Sequence, residues 1–137
     1  MRIAVPEWQG RVSPVFDFAE QVVLLDIEGP HGADRFRQWL GSVAPHERAR
    51  RLSELNVDLV ICGAISRYLE GLLVACHIRV IPLICGEVED VVRAFRDGTL
   101  DHERFAMPGC ASLCRAHAHP LMNARLPGRQ RGRGRRR

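Results

Sequence analysis

The chain has 137 residues, 46% of them hydrophobic, with 20 basic and 16 acidic side chains. This length fits one domain with a core, and no apolar run is long enough to span a bilayer. All basic residues are Arg, and seven lie in residues 125–137, which contain no acid, so the remainder carries a charge of −3. The N-terminus lacks a signal-peptide layout, and five Cys are an odd number for a disulfide framework. We therefore expect a cytoplasmic protein.

The first forty residues contain three predicted strands. Arg2–Pro6 places Ile3 and Val5 on one face, Gln21–Ile27 has an apolar centre, and Asp34–Leu40 follows the turn-forming sequence EGPHGA. The two later strands, joined by a short turn, are expected to form an antiparallel hairpin. The stretch Glu7–Asp17 between the first two strands is predicted to be a loop.

A strand–helix–strand unit occupies residues 56–86 and organises the rest of the chain. Val57–Cys62 and Ile78–Ile84 are apolar runs of the kind found in strands covered on both faces. Between them, apolar residues recur at helical spacing, at Leu69, Leu72, Leu73 and Cys76, and Ser66 suits the N-cap. Such a crossover makes the two strands parallel, so both end at one rim of the sheet, where open α/β sheets usually bind ligands.

Two further helices flank this unit. Pro45 suits the first turn of a helix over His46–Leu55, and Glu87–Asp97 carries a helical apolar face with Gly98 as its expected C-cap. The order is thus β-β-β-α-β-α-β-α, a three-layer α/β domain over residues 1–100. Residues 101–124 form a Cys- and His-containing extension, and residues 125–137 are an Arg/Gly tail predicted to be disordered.

Five segments closely resemble a known family. They are MRIAVPEW, GRVSPVFDFAE, VDLVICGAIS, VIPLICGEVEDVVRAFRDGTL and FAMPGC, in that order up to Cys110, and they resemble the dinitrogenase iron-molybdenum cofactor biosynthesis family. That family includes NifX-type carriers and the C-terminal domain of NifB. The resemblance implies a ribonuclease-H-like fold with a mixed five-stranded sheet. It also implies binding or transfer of an iron-sulfur or iron-molybdenum cofactor.

The predicted sheet gathers one set of candidate residues at its rim. Gly63 and Gly86 would let the backbone approach a ligand, and the amides of Ala64–Ser66 and Gly86–Glu87 open helices, which favours an anionic cofactor. Cys62 and Cys85 are either soft ligands or small hydrophobic residues at strand ends. The candidate cofactor-binding residues are Trp8, Ser13, Asp17, Cys62, Gly63, Ser66, Cys85 and Gly86. We expect both Trp8 and Trp39 to be partly in the core.

A second set of potential ligands follows the domain, in the pattern C-x3-C-x2-H-x-H. Thiolates and imidazoles suit zinc and iron-sulfur clusters, although this spacing matches no standard zinc-finger or ferredoxin pattern. Either these residues bind metal together, or they are incidental to a tail. A third possibility is that Cys110 folds back to the rim and joins Cys85 there. The candidate metal ligands are Cys85, Cys110, Cys114, His117 and His119, and zinc is the alternative metal at the extension.

These features favour a non-enzymatic carrier or scaffold for an iron-sulfur or iron-molybdenum type cofactor, with cofactor donor or acceptor proteins as partners. The alternative is an interaction module whose Arg tail binds a polyanion or nucleic acid by counterion release, although no aromatic residues interleave for base stacking. A ribonuclease-H-like nuclease needs clustered carboxylates for two metal ions, and the strand RIAVP has none.

Overall fold

The computed structural model describes residues 1–27, 34–41, 43–101 and 103–108. Three helices and six strands follow one another in these ranges. They are β1 (Arg2–Trp8), β2 (Arg11–Val12), β3 (Gln21–Asp26), β4 (Asp34–Trp39), α1 (Pro45–Glu54), β5 (Leu59–Ile61), α2 (Arg67–Ala75), β6 (Arg79–Ile81) and α3 (Val88–Asp97). Apart from β2, this is the order predicted from the sequence.

The strands form one mixed sheet in the order β4-β3-β1-β5-β6, with β2 paired to β1. β1 runs antiparallel to β3, and β3 runs antiparallel to β4, which confirms the predicted hairpin. β1, β5 and β6 run parallel to one another, so their C-terminal ends share a rim as predicted. The ribonuclease-H-like label implied by the resemblance stays a prediction.

The sixth strand was not expected. β2 pairs with the end of β1 across a two-residue turn at Gln9 and Gly10, whose φ angles are +54° and +81°. Two consecutive positive φ angles are typical of the tight turns that connect antiparallel strands. The predicted loop Glu7–Asp17 therefore contains a short hairpin, and the sheet has six strands rather than five.

The core has two parts, one on each face of the sheet, because the side chains of the central strands point alternately to the two faces. Successive side chains of a strand point to opposite faces, so β1 and β3 contribute to both clusters. One cluster packs under α3 and contains Ile3, Val5, Val23, Leu25, Val91 and Phe95. The other packs under α1 and α2 and contains Ala4, Val22, Leu24, Leu52, Leu69 and Leu73. The result is the predicted arrangement of three layers.

The chain after α3 returns to the rim. The Phe105 ring is buried in the α3 cluster, and residues 105–107 run antiparallel to residues 83–85. The Cys85 amide donates to the Phe105 carbonyl at 2.8 Å, and the Met107 amide donates to the Leu83 carbonyl at 3.1 Å. The predicted extension begins at residue 101, so only its first residues, up to Pro108, are described, and the predicted disordered tail of residues 125–137 lies outside the described residues. The predicted division of the chain stays a prediction.

Candidate functional site

Gly63 lies at the end of β5, where Ser13 and Pro14, the two residues after β2, cross over it. A Cβ on Gly63 would stand 2.6 Å from the Pro14 carbonyl oxygen and 2.8 Å from that of Ser13. The crossing is held by hydrogen bonds from the Ala64 amide to the Pro14 carbonyl and from the Phe16 amide to the Ala64 carbonyl, both 2.8 Å. The glycine therefore permits a close approach, as expected, but the approaching group is the protein's own backbone.

Asp17 occupies the N-terminus of α2. Its carboxylate accepts hydrogen bonds from the Ser66 amide at 2.8 Å and from the Ser66 hydroxyl at 2.5 Å. The Ser66 hydroxyl oxygen in turn accepts the Leu69 amide, which confirms Ser66 as the N-cap. The two predicted site residues do meet at the rim. A carboxylate of the chain itself already lies where an anionic ligand was expected to bind.

Cys62 and Cys85 lie in different surroundings. Cys62 is fully buried among the aliphatic residues under α1 and α2, and burial, with smaller contributions from Glu70 and Asp17, raises the pKa of its thiol. A neutral, enclosed thiol has no access to a ligand. Cys85 is partly exposed, and its thiol donates to the Ala106 carbonyl at 3.2 Å. Of these two predicted ligands, Cys85 alone can reach a bound group.

Gly86 joins the start of α3 to the β1–β2 hairpin. Its φ of +126° is a conformation that favours glycine. Its carbonyl accepts the Val12 amide, and the Val88 amide donates to the Gly10 carbonyl, both at 2.9 Å. The side chains of Arg11 and Glu87 form an exposed ion pair at 3.9 Å beside these bonds. The first amide of α3 is thus used in packing against the hairpin rather than left for a ligand.

The described residues contain no group of three or more His, Cys, Asp or Glu side chains placed to hold a metal ion. The predicted ligands Cys110, Cys114, His117 and His119 lie outside the described ranges. The hypothesis that they bind metal, alone or with Cys85, stays a prediction.

A cleft of about 260 Å³ opens at the same rim, where β1 ends and β3 begins; we call it the aromatic cleft. It contains two predicted site residues, Trp8 and Ser13, and six that the sequence analysis did not select. The lining residues are Glu7, Trp8, Ser13, Phe18, Ala19, Glu20, Gln21 and Trp39. Trp8 and Trp39 are 59% and 60% exposed, so the expectation that they lie partly in the core is wrong. Both lie at strand ends that no helix covers.

Glu7 is a buried charged residue in the lining of this cleft. Its carboxylate accepts hydrogen bonds from the Gly10 amide at 2.7 Å, the Gln21 side-chain amide at 2.6 Å and the Arg37 guanidinium at 3.3 Å. The sequence carried a signal for it, because the alternation Ile3, Val5, Glu7 puts a carboxylate on an inward face.

A second cleft, of about 300 Å³, lies between β4 and the start of α3. Its charges are paired with each other, since Arg35 forms an ion pair with Glu89 and Arg37 forms one with Glu7. Glu87, which also lines this cleft, forms an ion pair with Arg11, so each charged side chain of the described lining has a partner of opposite charge.

A comparison with protein families decides the family of the chain. The family model described as dinitrogenase iron-molybdenum cofactor matches residues 1–98. The chain belongs to this family. The matched residues include the whole rim from Trp8 to Gly86, and the resemblance noted in the sequence is confirmed.

Solved structures share the fold of this family member. The protein PH0822 matches with a TM-score of 0.65 and 22% identity, covering 69% of this chain and 88% of its own. A Methanocaldococcus jannaschii protein named "putative dinitrogenase" matches with a TM-score of 0.59 and 15% identity, covering 72% and 90%. A Thermotoga protein named "putative NifB protein" matches with a TM-score of 0.56 and 22% identity, covering 72% and 89%. No curated protein matches the chain. Within the described residues, no helix has the length and apolar character needed to cross a membrane.

Proposed function

We propose that this protein binds and carries an iron-sulfur or iron-molybdenum type cofactor, or a precursor of one, without catalysing a reaction on it. The family supports a role in handling such a cofactor. The described rim offers one accessible thiol, that of Cys85, at the C-terminal end of the parallel strands, where α/β sheets usually bind ligands. Donor and acceptor proteins are the partners that such a role requires.

The position of Cys85 is the observation that carries this proposal. Its amide is paired with the Phe105 carbonyl and its thiol with the Ala106 carbonyl, so the chain that leads to Cys110 passes directly beside it. Cys110 follows Pro108 by two residues, which span at most about 7 Å. A cargo held by Cys85 would therefore have Cys110, and then Cys114 and the two histidines, as further candidate ligands.

The charge of the neighbouring segment fits an anionic cargo. Arg104 is exposed and lies next to Phe105, the residue whose carbonyl accepts the Cys85 amide. The α2 N-terminus, by contrast, already holds the Asp17 carboxylate. We therefore propose that cargo binds at the end of β6 rather than between β1 and β5.

Anaerobic metal analysis tests the proposal. The protein is purified without oxygen, incubated with iron and sulfide, and analysed for iron, sulfide and molybdenum per chain and for the visible absorbance of sulfide-bound iron. We expect Cys85→Ala and Cys110→Ala to lose most of the bound iron, because thiolates are the preferred ligands of such clusters.

Cys76→Ala is the matched control. Cys76 is also partly exposed, but it caps the C-terminal end of α2 at the opposite side of the sheet. Its removal should leave the bound iron unchanged. Equal iron content in the Cys85→Ala and Cys76→Ala variants, or no iron in the unsubstituted protein, would contradict the proposal.

A further inference from the structure

The aromatic cleft combines exposed rings with carboxylates. Trp8, Phe18 and Trp39 are 59%, 81% and 60% exposed, and these include both tryptophans of the chain. Large aromatic side chains are normally mostly buried, so three exposed ones around one cleft indicate a binding surface.

The charge of the cleft lining is negative. Among the residues that the structure describes, Glu7 and Glu20 both line it, and no basic side chain does so. The Glu7 carboxylate is already satisfied by its three hydrogen bonds. The exposed Glu20 side chain makes no hydrogen bond or salt bridge with any other described residue, and its carboxylate interacts electrostatically with the buried Arg48 guanidinium behind the cleft. The cleft lining therefore carries an exposed carboxylate that forms no salt bridge, together with three exposed aromatic side chains, and this combination attracts a cation and repels an anionic cofactor.

The side of the aromatic cleft formed by Trp39 is fixed by contacts at Gly41 and Arg48. Gly41 has a φ of +74°, and the Trp39 indole nitrogen lies 3.3 Å from where a Gly41 Cβ would stand, so the chain turns closely under the ring. The buried Arg48 guanidinium donates to the carbonyls of Ala19, Gly41 and Val43, which ties both sides of the cleft base to α1. A ligand would meet a preformed wall, which lowers the entropy lost on binding.

An arginine side chain fits this lining better than other cations do. Its guanidinium is planar, stacks on aromatic faces and can form paired hydrogen bonds with a carboxylate such as that of Glu20. A lysine ammonium offers the charge but neither the stacking nor the planar hydrogen-bonding geometry.

We propose that the aromatic cleft binds arginine side chains of the chain's own C-terminal segment, residues 125–137. That segment contains seven Arg and no acid, whereas the remaining residues carry a charge of −3. The described chain ends at Pro108, which follows the pairing of Met107 with Leu83 at the same rim. The 17 residues from 109 to 125 can span up to about 60 Å, more than the width of a domain of this size. The segment can thus reach the cleft within one molecule.

Tryptophan fluorescence reports directly on this contact, because both tryptophans line the cleft. Two full-length variants are compared with the unsubstituted chain, one with Arg→Gln and one with Arg→Lys at all seven tail positions. We expect the Gln variant to emit at longer wavelength and to be quenched several-fold more efficiently by acrylamide, a neutral quencher. The Lys variant should resemble the Gln variant more than the unsubstituted chain, because charge alone does not reproduce the stacking. Adding a peptide of residues 125–137 to the Gln variant should restore the original emission in a saturable way.

Glu20→Gln, introduced into the Gln variant, should weaken peptide binding several-fold. Glu54→Gln, an exposed glutamate on α1, should not change it. Equal quenching of the unsubstituted chain and the Gln variant overturns the proposal, even if the peptide binds, since the cleft would then serve a separate partner. Equal behaviour of the Lys variant and the unsubstituted chain overturns the stacking argument. Quenching of the unsubstituted chain that depends on protein concentration would instead assign the contact to a second copy.

Discussion

At the scale of single residues, Gly63 shows how tightly the rim is packed. Because the atoms that a Cβ would meet are the backbone oxygens of Ser13 and Pro14, the clash cannot be relieved by turning a side chain. We expect Gly63→Ala to lower the free energy of unfolding by about 1–3 kcal/mol, the usual range for overpacking. Urea denaturation followed by circular dichroism measures the change.

In the matched control, the free energy of unfolding is expected to change in the opposite direction. Gly71 lies in the exposed middle of α2, and nothing stands within 4 Å of its added Cβ. Gly71→Ala should raise the free energy of unfolding by about 0.5–1 kcal/mol, since alanine is the better helix former. If both variants changed stability in the same direction, the crossing of residues 13–14 over Gly63 would not be as tight as described.

At the scale of elements, the cap of α2 joins the loop after β2 to the helix. Ser66→Ala removes the hydroxyl that accepts the Leu69 amide and donates to Asp17. We expect a loss of about 0.5–2 kcal/mol in the free energy of unfolding, as for other N-cap substitutions. Thermal and urea unfolding of the variant provide the measurement.

Ser53 gives the comparison for this prediction. It is an exposed serine inside α1, so Ser53→Ala should be neutral or slightly stabilising because alanine has the higher helix propensity. A Ser66→Ala variant as stable as Ser53→Ala would show that the Asp17–Ser66–Leu69 bonds do not support the helix.

The elements that were predicted well are those whose ends are marked by particular residues in their own sequence. Pro45, Ser66 and Gly98 mark helix ends that the structure places within a residue or two, and Gly98 indeed adopts a φ of +75°. β2 and the return of residues 105–107 along residues 83–85 were missed as strand-like pairings, because they depend on contacts between segments that lack apolar periodicity. The parallel strands are also shorter than their apolar runs, since Val57 and Cys62 are buried without belonging to β5.

The candidate site was predicted in position but not in detail. The crossover rule brings Ser66 and Cys85 to one rim, and the directions of β1 and β3 bring Trp8 and Asp17 to the same rim. The sequence could not reveal that Asp17 would cap α2 or that the backbone of Ser13 and Pro14 would fill the space beside Gly63. Both outcomes depend on where a loop folds, which periodicity does not encode.

At the scale of the whole molecule, acid sensitivity should depend in part on one ion pair. Arg2 binds the Asp26 carboxylate through two nitrogens, at 3.1 and 3.0 Å, and donates to the Leu55 carbonyl at 2.8 Å, linking β1, β3 and the end of α1. The hydrogen bond and charge of Arg2 lower the pKa of Asp26 below its ordinary value of 3.8. A carboxyl with a lowered pKa stabilises the fold above its unfolded-state pKa, and that stabilisation is lost as the pH falls through the folded-state value.

We therefore expect Asp26→Asn to flatten the decline in stability below pH 3.8. The pair is partly exposed, so its contribution at neutral pH should be at most about 1 kcal/mol. Urea denaturation at a series of pH values checks this, and Arg2→Gln should flatten the same part of the profile. A steep acid decline that persists in Asp26→Asn would mean that other carboxylates control it.

The return of the chain after α3 has a practical consequence for where this protein can be shortened or fused. The family match ends at residue 98, but Phe105, only 3% exposed, fills the α3 cluster, and Ala106 and Met107 complete the hydrogen bonding of residues 83–85. A polypeptide that ends at residue 98 would lack the Phe105 ring, which would leave an exposed apolar cavity beside α3, and it would lack the Ala106 carbonyl that accepts the Cys85 thiol. Reporter fusions and protease-trimmed forms should keep every residue through Pro108, and cleavage just before Phe105 should open the rim first.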